Sequence, residues 1–101
     1  MRDSNGYPSE AALNKVTEWE WNDLEGCMVF VRSLWQYADC GYWDNDNGVY
    51  RISTGGWSGN EDLIEALRKN HVLWLVHWAQ SRRGGHFILA TREAQPADRD
   101  N

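Results

Sequence analysis

Apolar positions along the chain follow two different periods, and these divide it into helices and strands. Leu24, Cys27, Met28, Val31, Leu34, Trp35 and Ala38 recur at steps of three or one. That is one stripe of period 3.6, and it predicts a helix across 24–38, widened by Phe30 and Tyr37. Asn22 with Glu25 three residues on forms a variant capping box before it, and Gly41 is a stop near its end. Upstream, Ser9 can cap a first helix carrying Ala12, Leu13, Val16 and Trp19. The end of that helix is ambiguous, because Trp19-Glu20-Trp21 alternates as a strand does.

The second period begins after residue 40. Asn47-Gly48 tolerates positive φ at both turn positions, so a strand across 40–43 should pair with one across 49–54 around a polar tip. Gly55, Gly56 and Trp57 then lead to Ser58-x-x-Glu61, a regular capping box. The helix it opens buries Leu63, Ile64 and Leu67. Arg68 and Lys69 suit its negative end, and Asn70 a left-handed cap. The run HVLWLVHWAQ (71–80) is almost continuously apolar and reads as a strand covered on both faces. Ser81-Arg82-Arg83-Gly84-Gly85 turns it into a last strand across 86–91.

The order α-α-β-β-α-β-β predicts a single small α+β domain across 9–92. Its sheet has about four strands made of two hairpins, with helices packed on one face. Residues 1–8, broken by Asn5-Gly6 and Pro8, and the polar tail 93–101 are expected to be disordered.

Composition narrows the picture. A chain of 101 residues has room for one core. Seven tryptophans in that length supply a dense interior, with one or two left partly exposed. No run reaches the ~20 apolar residues of a membrane span, and the first residues lack a signal-peptide segment, so a cytoplasmic protein is expected. Cys27 and Cys40, separated mostly by helix, are too far apart to bridge and read as reduced thiols. Net charge is −5, with nine acids and three bases in residues 1–48 against six acids and seven bases in 49–101. This balance argues against general affinity for a nucleic-acid backbone and permits a local basic patch in the second half.

Candidate chemistry is sparse. Gly56-Trp57-Ser58-Gly59 lacks the second glycine of a nucleophile elbow, since Asn60 stands there. A phosphate cradle at the same glycines is opposed by Glu61 and Asp62 in the first turn of the helix. His71, His77, His86 and Cys40 show no metal-ligand spacing, and His77 reads as a satisfied core histidine. Asp44 to Asn47 is too short for a calcium loop and reads as a hairpin tip. No cofactor, metal or catalytic residue is expected. Arg82-Arg83-Gly84-Gly85-His86 is the strongest binding candidate besides the central turn. Two arginines on a hairpin beside aromatics suit either carboxylates on a protein or stacked bases.

Arg51-Ile52-Ser53-Thr54-Gly55-Gly56-Trp57-Ser58-Gly59-Asn60-Glu61, with Trp74, Trp78, Ser81 to Phe87 and Tyr37 to Tyr42, resembles a group of small proteins encoded by bacteriophages and prophages. The resemblance spans roughly residues 24–89. It implies a setting, a small accessory protein made inside a bacterium. Proteins of that kind often inhibit a host defence system by binding it, as an anti-CRISPR-like protein would. It carries over no activity or catalytic residue. The resulting expectation is a non-enzymatic interaction protein that binds a host or phage protein through Trp57, Arg82 and Arg83, with Trp43 and Tyr42 behind them. The alternative is a single-stranded nucleic-acid or nucleotide binder using surface aromatics and the same arginines. A third reading is a small enzyme or metabolite-sequestering protein using the turn 53–60.

Overall fold

A computed structural model describes residues 7–91. Its elements run α1 (Glu10–Thr17), α2 (Leu24–Leu34), a 3-10 turn (Ala38–Cys40), β1 (Trp43–Asp46), β2 (Val49–Ser53), α3 (Ser58–Lys69), α4 (His71–His77), β3 (Trp78–Arg82) and β4 (His86–Ala90). The expected α+β class and four-stranded sheet of two hairpins are present. All pairings are antiparallel in the order β1-β2-β4-β3, so the two hairpins join through their inner strands. Of the ends expected to be disordered, residues 1–6 and 93–101 lie outside the described residues, whereas Tyr7 stacks on Trp57.

Helix α1 begins as its sequence requires, with the Ser9 hydroxyl accepting from the Ala12 N–H at 3.1 Å. It ends at Thr17, short of the Trp19 alternation. For α2 the cap is Asp23, not Asn22: its carboxylate accepts from Gly26 N–H at 3.1 Å and from the Trp19 indole at 3.0 Å. The α2 stripe Leu24, Cys27, Met28, Val31 and Leu34 is buried, but the helix stops at Leu34, four residues before the expected end. A tertiary contact explains this. Gln36 N–H donates to the Asn60 side chain at 2.8 Å and the Gln36 carbonyl accepts from it at 3.2 Å, while the Trp35 indole donates to Ser53 O at 3.1 Å. Those partners replace the helical ones.

The first hairpin turns at Asn47 (φ 51°) and Gly48 (φ 83°), as the sequence implies. Its first strand starts three residues later than expected, at Trp43, so Asp44 to Asp46 are ladder residues opposite Val49 to Arg51 and do not form the tip. At α3 the expected Ser58 cap is not made. Trp57 occupies the cap position without a side-chain bond, and Ser58 lies inside the first turn. Asn70 closes the helix at φ −82°, not left-handed, because its amide donates to Val16 O and Trp19 O at 3.1 and 2.8 Å.

The largest correction concerns HVLWLVHWAQ. Its first seven residues form α4, and only from Trp78 does the chain extend. A short apolar run has no period to tell helix from strand. The helical bond from Trp74 N–H to Asn70 O (2.9 Å) carries the chain straight on from α3. Burial of Leu73 and His77, four apart, supplies the helical face.

Pairing register assigns the faces of the sheet. Trp43, Tyr50, Ile52, Phe87 and Leu89 share the inner face and are buried. Trp35, just past the end of α2, meets Trp43 edge-on at 5.4 Å, and Trp74 of α4 meets Phe87 at 6.2 Å. Helices therefore cover this face, as expected. Cys27 is buried and Cys40 exposed, both as free thiols. No helix among the described residues is long and apolar enough to cross a membrane.

Candidate interaction surface

The opposite face of the sheet is set by the same alternation. Asp44, Arg51 and Ile88 form one outward row with Gln80. The next row is Ser53, His86 and Arg82, extended by Tyr42, whose carbonyl accepts from Ser53 N–H at 2.9 Å. Apart from Gln80, the two rows line, with Gly41, a shallow groove of about 530 Å³. No described helix covers it.

Each wall has a local cause. The Tyr42 ring packs over Gly55, held at φ 62°, where a Cβ would strike the ring. Tyr37, itself at φ 61°, meets Tyr42 edge-on at 6.1 Å. Arg51 lies 3.8 Å from Asp44 with both side chains largely in solvent. Such a pair contributes about 0–1 kcal/mol to stability and leaves the guanidinium free to exchange partners. Arg82 and His86 face each other across β3 and β4 before the turn that carries Arg83. The groove thus combines an aromatic ring, an aliphatic side chain, two guanidinium groups, an imidazole and the Asp44 carboxylate.

Of the residues expected to bind, the structure brings Tyr42 and Arg82 together here, with Arg83 exposed beside them. Two others are elsewhere. Trp43 is 7% exposed and belongs to the core, outside the groove. Trp57 is half-buried outside the groove, with the Tyr7 ring stacked on it at 5.0 Å and its indole lying against Gly59. Arg51 and Ile88 were not anticipated, and His86 was named only as the end of the arginine turn. The signal for them was present: Arg51 stands between inward Tyr50 and Ile52, and His86 and Ile88 flank inward Phe87.

The other polar candidates have structural roles. His77 is a core histidine, its ring nitrogens 3.0 Å from Ala90 O and 2.8 Å from Trp21 O. Among the described residues, no group of three or more His, Cys, Asp or Glu is placed to hold a metal ion. Burial, and secondarily the Asp23 charge, pushes the Cys27 thiol up to about 12. Burial followed by Glu25 and Asp23 raises Tyr50. Both groups lie on the helix side of the sheet, away from the groove. No protein family, curated protein or solved structure matches the chain.

Proposed function

We propose that this chain is a non-enzymatic interaction protein that holds another protein against its outer sheet face. The observation that carries the reading is the outward row Tyr42–Ser53–His86–Arg82 beside Arg51 and Ile88, uncovered by any described helix. Aromatic and arginine side chains on a rigid surface are the usual anchors of protein interfaces. The exposed guanidinium groups favour a carboxylate-bearing partner. The resemblance of the sequence to phage-encoded proteins supports a host or phage protein inside a bacterial cell as that partner, and inhibition of a host defence complex as the proposed role.

The test is affinity capture from bacterial lysate with wild type and an Arg51→Glu/Arg82→Glu variant shown by circular dichroism to be folded. A partner retained by wild type and lost by the variant is expected. Equal recovery by both overturns the groove as the contact.

A second reading, single-stranded nucleic-acid binding, is favoured by one observation: Tyr42, Arg51 and Arg82 face the same groove, which suits a stacked base and its phosphates. It requires oligonucleotide binding that weakens steeply with salt. Absence of binding at low salt removes it.

A further inference from the structure

We propose that the α4–β3 flank is a second docking surface, which takes an extended segment of a partner protein whose side chains alternate acidic and apolar. The first observation is a row of misplaced hydrophobics. Val72, Leu75 and Trp78 are 51%, 82% and 39% exposed. Their spacing of three sets them in one slanted row that runs down α4 onto the start of β3. The buried side of α4, with Leu73 and His77, faces the other way.

The second observation is that β3 is an outer strand of the sheet, and no described strand pairs with its far side. A strand edge presents backbone N–H and C=O groups to any extended chain that approaches it. The bulge between Trp78 and Gln80 breaks the ladder at its start and leaves Gln80 to Arg82 regular. The bulge also puts Trp78 and Ser81 on the helix side of the sheet and Gln80 and Arg82 on the outer side. Trp78 is held there by its indole donating to Ser81 Oγ at 2.7 Å.

Charge selects the occupant. Residues 66–91 contain no acid, yet they carry Arg68, Lys69, Arg82 and Arg83 in a chain of net charge −5. An added strand with apolar side chains toward Trp78 and carboxylates toward Arg82 matches both faces of this edge. A second copy docking β3 on β3 about a two-fold axis would pair the strands antiparallel and offer Arg82 no carboxylate, since residues 66–91 contain none. Docking of the chain's own acidic first half on this edge would be heterologous and would build a ring or a filament, which sedimentation would reveal. An anionic bilayer would accept the basic and apolar groups but would leave the strand edge unpaired in hydrocarbon.

The experiment uses a short, blocked, fluorescein-labelled peptide alternating valine and glutamate, titrated with the full chain and read by anisotropy. Saturable binding is expected, with a valine–lysine peptide failing to bind. Leu75→Asp, at an exposed position that the fold does not need, weakens binding by about tenfold or more. Three results overturn the proposal. The glutamate peptide fails to bind or is unaffected by Leu75→Asp; phosphatidylglycerol vesicles bind with the same Leu75 dependence; or sedimentation shows an oligomer that Leu75→Asp dissolves. Arg82 belongs to both surfaces but Leu75 lies outside the groove, so the Leu75→Asp comparison reports on this flank alone and its failure leaves the outer-face reading standing.

Discussion

The side chain of Asn60 pairs with the backbone of Gln36, accepting from its N–H at 2.8 Å and donating to its carbonyl at 3.2 Å. The same amide nitrogen lies 3.3 Å from Thr54 O, and Asn60 is wholly buried. One residue thus fixes the exit of α2, the start of α3 and the glycine turn between them. Asn60→Ala strands the Gln36 N–H and carbonyl, while Thr54 O keeps the Trp57 N–H at 3.1 Å, and is expected to cost about 2–4 kcal/mol. Urea unfolding at neutral pH checks this, and Asn60→Asp should cost comparably because it loses both donations.

The α2 cap gives a sharper test through coupling. A Cβ on Gly26 would fall on the Asp23 carboxylate that caps it. Gly26→Ala and Asp23→Ala should each destabilise by about 1 kcal/mol, and the double variant by clearly less than their sum. Additive losses would mean that the two residues do not act through one hydrogen bond.

Core and groove residues should separate cleanly in stability measurements. Trp43→Ala removes a buried indole packed on Trp35 and Tyr50 and is expected to cost about 3–5 kcal/mol. Arg82→Ala, on the exposed face, should stay within about 0.5 kcal/mol of wild type. Paired denaturation curves distinguish the two, and a large loss for Arg82→Ala would mean that it is structural.

The thiols predict a pH response with a definite sign. Cys27 is raised from 9.0 to about 12, so it stays protonated in the fold while the unfolded thiol ionises. Its contribution is complete below pH 9 and is lost as pH rises toward 12. Tyr50, also raised, acts in the same direction. The urea midpoint should therefore fall in alkali, and Cys27→Ala should remove part of that fall. At pH 8 a thiol reagent should label exposed Cys40 alone in the native protein, and both cysteines after denaturation.

The fold was largely legible because local signals agreed with one another: Asn47-Gly48 specified a turn, Ser9 a cap, and the α2 stripe a helix. Legibility failed where a distant residue decided the outcome. Nothing near Gln36 announces that Asn60 will take its N–H. The α2 cap was missed for a local reason, since Asn22 and Asp23 are equally good cap residues side by side. The run from His71 to Trp78 lacked polar positions to mark a face, so its helix was hidden. The groove was half legible. Its arginine turn is visible in composition, but recognising Arg51 and His86 as neighbours of Tyr42 requires the order β1-β2-β4-β3, which pairing in space establishes.

The meeting of the two hairpins at β2 and β4 has a kinetic consequence. Each hairpin closes over a short turn and can form within about 1–10 μs. The central ladder, from Val49↔Ala90 to Ser53↔His86, must wait until the chain through α3 and α4 has looped back. Until then β2 and β4 each lack a neighbour, so that reunion is expected to set the refolding rate. Stiffening the Asn47-Gly48 turn would leave the refolding rate almost untouched, whereas loosening the path between Gly55 and His77 would slow it.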